Sequence, residues 1–550
     1  MKMRKWLSVL LVAVLVVASA VSLPASAEGG KVLRFALSSL KGAFSPILHD
    51  DVYDNYVHML IFSTLATNDP GNNIVFDDTT IADSYDISED HLTYTFHLKE
   101  GLVFSNGDPL TAEDVAFTYK MVGNPSYDGP RTSLVSDMVG YEAYHNGETD
   151  EFTGIQVIDP KTISFTLVEP YVAKIEEFAA YGILSKNYYE KDSYDEFKAL
   201  NGAPVGCGPF MLDTFDPGQA ANLVRNPNWT GKQPKLDGVT FLLIPPDSQI
   251  MALTSGQCDL IEAPGANQDS YNAMIEGGAS VIRFIGLGYN CMMLNHQSPK
   301  LSDLAVRKAL MHGFDREGFI QNEYEGFATP CLMLVYQNPE FWAYPKDTSN
   351  LDPYAFDPEL SKTILEEAGW TLNDNGLREK DGVELSLTMY IYMDAPWPEH
   401  LSALLVEQWA DIGVELNVLV ADFDTVMDKA YDERAFGEFD LWTQGWQMSS
   451  DPDMTELLGK EAFDVMGGFN PGGYYNEDAE ALFKAGRQEF DPVKRAEIYA
   501  EWALLSNQTL PMLFNATRDQ LWGAGANVTG FEDMNPFYNW VSCIYDVDIQ

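Results

Sequence analysis

The stretch LTYTFHLKEGLVFSNGDPLTAEDVAFTYK, residues 92–120, changes its hydrophobic period partway along. Leu92, Tyr94, Phe96 and Leu98 alternate with Thr93, Thr95 and His97, which is the two-residue period of a half-buried strand. Gly101 and the Asn106-Gly107 pair then supply turn chemistry. Thr111 followed three residues later by Asp114 has the form of a capping box, so a helix is predicted through Val115, Phe117 and Tyr119. A strand, a glycine turn and a capped helix in immediate succession read as α/β or mixed α+β architecture.

The same alternation continues on both sides. Ile163, Phe165 and Leu167 form another alternating strand before Pro170. Asp357-Pro358 sets an N-cap and first-turn proline for a helix carrying Leu360, Ile364, Leu365 and Ala368, which Gly369 ends. Leu401, Leu404, Leu405, Gln408, Trp409 and Ile412 recur at helical spacing up to Gly413, and Val414, Leu416, Val418 and Val420 then alternate as a strand. Asp491-Pro492 opens a last helix through Ala496, Tyr499, Ala503 and Leu504. No internal repeat or low-complexity tract interrupts the series. A chain of 550 residues exceeds what one hydrophobic core supports, so two or three subdomains are expected.

At the N-terminus, Lys2, Arg4 and Lys5 precede an apolar run from Trp6 to Val21, then Pro24 and the small residues Ala25 to Ala27. This order predicts a secretory signal over 1–27, cleaved after Ala27; an uncleaved N-terminal anchor is the alternative. The apolar run is shorter than the roughly 20 residues that span a bilayer. It carries no cysteine for lipid attachment. The expected location is therefore periplasmic or extracellular.

The formal charge of −48 excludes nucleic acid as a natural partner, because phosphate binding needs basic surface. Such a field can steer cationic ligands, or simply keep the surface solvated. The five cysteines (Cys207, Cys258, Cys291, Cys331 and Cys543) form no C-x-x-C pair. Export permits one or two disulfides among them, and the odd number leaves at least one thiol over. The eight histidines show no metal-ligand spacing, and no nucleophile elbow, zinc-protease or phosphate-loop motif occurs. The expectation is a binding protein without cofactor or metal site rather than an enzyme; an exported hydrolase is the alternative of another class.

Beyond periodicity, the motifs form an ordered set. Residues 92–101 and 104–115 are followed by Gly206 to Phe210, Leu223 to Asn228, and Ala252 to Gly256 with Asp259. Leu294-Asn295, Val306 to Leu310, and Phe314 to Arg316 come next. Residues 357–370, Ile412 to Val414, Gly445-Trp446 with Asp451-Pro452, and Arg495 to Tyr499 complete the order. In this succession the chain resembles the extracellular solute-binding proteins of family 5, the oligopeptide, dipeptide and nickel importer group.

The resemblance implies a two-lobed periplasmic-binding-protein fold of three subdomains, closing on a ligand at a two-strand hinge. The first lobe would comprise 28–54, 196–275 and 512–550, with an inserted subdomain at 55–195; the second would occupy 276–511. The hinge strands would lie near 289–295 and 511–515. The ligand would sit between the lobes, near 50–53, 389–397 and 444–453. Within these segments Trp446 is the expected cleft wall, a flat face that buries area at low entropy cost. It could equally be an ordinary core tryptophan. Tyr392, Trp397 and Tyr53 are candidates for stacking or hydroxyl contacts and Asp50 and Asp451 for an amine or hydroxyls, with Gln444 and Ser449 as further ligand-binding candidates. The acidic pair could also be plain surface.

Two departures bear on the ligand. Dipeptide binders of the family place an aspartate three residues after the Gly-Trp tryptophan, where this chain has Ser449. They also carry an arginine in the segment matching Asp394 to Trp397, where none stands here. A dipeptide's termini would lack both partners, and an unpaired buried charge is costly. An oligopeptide, held largely through its backbone, is the expected ligand, with an oligosaccharide as the alternative. The partners implied are the permease and ATPase subunits of an ABC importer, serving a monomeric binding protein.

Overall fold

The computed structural model describes residues 30–465 and 468–550. The predicted signal segment lies outside them. Among the described residues, no helix is long and apolar enough to cross a membrane.

The opening stretch folds as its pattern requires. Its strand runs Thr93–Leu98, with Tyr94, Phe96 and Leu98 buried and the intervening residues half-buried. Gly107 takes a left-handed φ of 91°, and the Asn106 side chain accepts from the Asp108 N–H at 3.0 Å. Thr111 caps the helix Ala112–Val122, and the Asp114 carboxylate accepts from the Thr111 N–H at 2.8 Å. The other oxygen of Asp114 accepts from the Lys186 N–H, also at 2.8 Å, so the box ties down a distant chain segment. Strand Thr93–Leu98 sits in a four-stranded antiparallel sheet with Ala82–Ile87, Thr162–Thr166 and Ile155–Asp159.

A second, eleven-stranded sheet extends through the rest of the molecule. We number its strands β1 (Val32–Leu37), β2 (Phe210–Asp216), β3 (Ala220–Arg225), β4 (Gly238–Leu243), β5 (Leu260–Glu262) and β6 (Ser280–Leu294). They continue as β7 (Ala328–Pro330), β8 (Ser386–Tyr392), β9 (Glu415–Ala421), β10 (Leu441–Gln447) and β11 (Leu513–Ala524). The spatial order is β9-β8-β10-β6-β11-β5-β1-β4-β3-β2, with β7 also paired to β11. Parallel pairs occur within each half (β1 with β4 and β5; β8 with β9 and β10), whereas β6 and β11 are antiparallel.

Strands β6 and β11 each serve both of the large cores. Trp522 and Ala524 of β11 belong to the first core, which also holds Phe35, Phe96 and Phe165. Leu513, Phe514 and Ala516 of the same strand belong to the second core, around Trp409, Trp442 and Trp502. The β6 residues Ile282 and Phe284 pack on the first core, and Tyr289 to Leu294 lie in the second. Two lobes are thus joined by a pair of long strands. Their register breaks between Ile285 and Tyr289, so Gly286, Leu287 and Gly288 have only Arg518 opposite them. A Cβ on Gly286 would meet the Arg518 carbonyl at 2.6 Å, so the close approach needs glycine there.

The later predicted helices stand at Pro358–Glu367, Trp397–Asp411 and Pro492–Thr509, with Gly369 and Gly413 at left-handed φ beyond the first two. β9 departs from a uniform alternation. Val414 and Leu416 are buried, but Val420 is 57% exposed, because burial fades along this edge strand. The disulfides that export would permit are not formed. All five cysteines are buried free thiols, divided among separate cores: Cys207 and Cys543 in the first, Cys291 and Cys331 in the second, and Cys258 in a small satellite cluster.

Replacing Asp114 with alanine would strand the Thr111 and Lys186 amides. The expected loss is about 2 kcal/mol of stability, read as a lower urea midpoint with the slope unchanged.

Candidate functional site

Two adjoining cavities lie where the lobes meet, and Asn55 and Asn539 line both. One, of about 430 Å³, is bounded by Tyr53, Tyr56 and Glu262 from the first lobe and by Leu287, Gly288 and Gln447 beside the register break. The other, of about 470 Å³, is lined by His49, His58, Arg131, Glu176 and Tyr181, with Ser450 of the second lobe and Phe537 over it. Helix Val52–Ile61 explains how one short segment reaches both. Asp51 caps it, its carboxylate accepting from the Tyr53 N–H at 2.8 Å, and Tyr56, Val57, Leu60 and Ile61 bury its apolar side. Asn55 is left at the junction with its side chain free of hydrogen bonds to other described residues. Such an amide can donate and accept at once.

The walls carry charge at separate places. Glu262, pushed upward by burial, accepts from Gln520 at 3.2 Å and from the Tyr56 hydroxyl at 3.4 Å. In the other cavity Arg131 Nη2 donates to His49 Nε2 at 2.6 Å, while His49 Nδ1 donates to the Ser45 carbonyl at 3.1 Å. Burial, then the neighbouring guanidinium, lowers His49 to about 4, so the ring is neutral. The His58 ring packs tilted against it at 4.3 Å and is held well below the usual histidine range by complete burial.

The lobes also touch through other segments. Val172 N–H donates to the Arg487 carbonyl at 2.9 Å, and the Arg487 guanidinium lies 4.4 Å from the Tyr171 ring centre. His91 stacks on Phe490 at 4.0 Å. The Ser450 hydroxyl donates to Glu176, beside a buried Asp451–Arg495 ion pair. Burial is the main cause, and the Asp451 charge the next, that raises Glu176 to about 7. Burial likewise takes Asp453 up to about 6, despite Arg487 at 3.6 Å.

The eight residues singled out from sequence are dispersed by this arrangement. Tyr53 lines the first cavity; the other seven line neither. Trp446 is half-buried on β10 with Phe469 at 5.2 Å, one residue before the cavity-lining Gln447. Ser449 is exposed, and its hydroxyl donates to the Asp451 carbonyl. Asp451 is committed to Arg495. Gln444 is buried, its oxygen taking the Tyr431 hydroxyl at 2.6 Å and the Trp442 N–H at 3.0 Å. Tyr392 and Trp397 pack edge to face at 5.8 Å inside the second lobe, Trp397 opening a helix with 4% exposure. Asp50 is exposed and pairs with Lys41 at 3.1 Å. The residues that do converge (Asn55, Arg131, Glu176, Gln447 and Ser450) belong to no local motif. Their nearness comes from tertiary contact between lobes.

The raised value of Glu176 has a defined pH consequence. A carboxyl with a higher value here than its ordinary 4.5 binds a proton on folding. Its contribution is fully present below 4.5 and is lost as pH rises through about 7. Glu176→Gln, which mimics the protonated acid, should come close to the parent at pH 4 to 5 and exceed it by roughly 2–3 kcal/mol at pH 8. Denaturant titration at both values checks this, and a difference independent of pH would contradict it.

Known proteins place this geometry. Residues 79–460 match the family described as bacterial extracellular solute-binding proteins, family 5. The oligopeptide-binding protein AppA of Bacillus subtilis is 24% identical over 460 residues, covering 83% of this chain and 81% of that protein. The oligopeptide-binding protein OppA of Lactococcus lactis subsp. cremoris is 26% identical over 414 residues, covering 70% and 68%. In fold, the chain is similar to lactococcal OppA complexed with an endogenous peptide in the closed conformation. The TM-score is 0.75 at 22% identity, covering 94% of this chain and 100% of that one. With a family match across most of its length and the two-lobed architecture in place, the chain belongs to the family 5 bacterial extracellular solute-binding proteins.

Proposed function

We propose that this protein captures an oligopeptide outside the cytoplasm and presents it to an ABC importer. The observation that carries the reading is the pair of adjoining cavities between the lobes, with amide side chains at their junction. An extended peptide offers a donor and an acceptor at every residue, and Asn55, Gln447 and Asn539 can serve them with little demand on ligand side chains. The relatives named as oligopeptide-binding proteins support the same ligand class over an oligosaccharide.

In this proposal the lobes take the boundaries expected from sequence, with 28–54, 196–275 and 512–550 in one lobe, 55–195 inserted into it, and 276–511 in the other. The bend falls at Gly286 to Gly288, where ladder pairing is interrupted. Tyr53 forms part of the ligand surface and Trp446 its outer edge beside Gln447, while Asp451 acts through Arg495 at the closing contact. The signal over 1–27 directs export, and the monomer delivers its ligand to permease and ATPase subunits without catalysing a reaction.

Purified chain examined by native mass spectrometry, before and after mild unfolding, should release a heterogeneous set of short peptides. Masses spaced by hexose units would replace the peptide reading with the sugar one. Asn55→Ala should weaken binding of the released peptides by about 1–2 kcal/mol in calorimetry. Unchanged affinity would remove Asn55 from the ligand surface.

A further inference from the structure

Most arginines of the chain are answered by their surroundings. Arg34, Arg283, Arg487 and Arg495 meet carboxylates. Arg307 and Arg316 are buried but direct their guanidinium groups into backbone carbonyls. Arg131 differs from these in where it stands. Its side chain lines the 470 Å³ cavity, and no carboxylate among the described residues pairs with it. Its Nε is buried without a partner, and Nη2 alone is engaged, by the ring and carbonyl of His49 at 2.6 and 3.3 Å.

The group is also held in place. The Arg131 N–H donates to the Tyr127 hydroxyl at 3.2 Å, and that hydroxyl donates to the Ile47 carbonyl at 2.6 Å. Backbone and side chain are therefore both tied to the segment Ile47–His49. The His49 ring, itself fixed through Ser45 and backed by His58, presents a lone pair that orients the guanidinium without cancelling its charge. The Tyr181 ring lies 5.8 Å from it. In a chain with 82 acidic side chains, this fixed guanidinium faces a cavity while paired to none of them; Glu176 on the same wall is engaged by the Ser450 hydroxyl. The planar fork of arginine matches a carboxylate in two hydrogen bonds, and prior orientation keeps the ordering cost low.

We propose that Arg131, positioned by His49, is the anchor for a carboxylate of the bound ligand. The inference rests on the peptide reading above and deepens it. A peptide supplies that carboxylate from its C-terminus or from an acidic side chain.

The test is capture from random hexapeptide libraries by the purified chain, read by native mass spectrometry. One library lacks Asp and Glu and has a free C-terminus; a second is the same but C-terminally amidated; a third is amidated with Glu restored. The wild-type protein should enrich the free acids over the plain amides by about 10-fold or more. Arg131→Gln should abolish that preference, and Arg131→Lys should restore part of it. Enrichment of the third library over the second, lost in Arg131→Gln, would assign the carboxylate to a side chain instead. Equal capture of all three by the wild type would overturn the role of Arg131 while leaving peptide binding intact. Capture of none would overturn the peptide reading itself, and the anchor with it.

Discussion

The two long strands β6 and β11 are the constraint on which the rest of the molecule depends. Each enters one hydrophobic core and leaves through the other, so the lobes cannot separate without breaking a ladder shared by both. The strands are continuous, yet their pairing is interrupted at Gly286 to Gly288. Backbone hydrogen bonds resist stretching along a ladder, and a segment released from one of its two neighbours bends at lower cost, although Gly288 still pairs with Gln447 of β10. The cavities flank this interruption, with Leu287, Gly288 and Gln447 forming part of the wall. On the proposed function, a ligand surface beside the bend would couple occupancy to the angle between the lobes, since contacts made only when the lobes meet favour the closed arrangement.

The lobes also meet around a buried ion pair. Asp451 and Arg495 form a buried pair, with Glu176 brought in from the other lobe through Ser450. Burying a further carboxyl beside an existing carboxylate favours its protonated form, which is the cause of the raised Glu176 value. The aromatic and cationic contacts around it (Arg487 on Tyr171, and His91 on Phe490) add area without adding like charge. The interface is therefore held by hydrogen bonds and ring contacts of modest strength, which suits a surface that must open to admit a ligand.

Much of the fold was legible before any coordinates. The period-two pattern in 92–98 and the Thr111–Asp114 box are local, and local chemistry settled both. The Asp-Pro caps at 357 and 491 behaved likewise. The disulfides did not follow from compartment alone: all five cysteines are buried free thiols, including the two pairs that share a core. The site was less legible still. Trp397 and Gln444 stand in segments near the cleft, but helix position and strand face turn them inward. Asn55 and Arg131 are far apart in sequence, and each is an ordinary residue in its own segment. What distinguishes Arg131 is a guanidinium paired to no carboxylate on the wall of a cavity, a property that only the folded surroundings define.

The central claim is that ligand binding and lobe closure are one event. It is tested most directly by measuring the distance across the closing contact with spin labels on Val168→Cys and Val493→Cys, two exposed positions on opposite lobes. The five native thiols are buried, and burial raises Cys207 to about 12, so the introduced sites should label selectively. Protein stripped of ligand by unfolding and refolding should give a broad, long distance distribution, which a random hexapeptide library shortens and narrows. An identical distribution with and without the library would contradict the account.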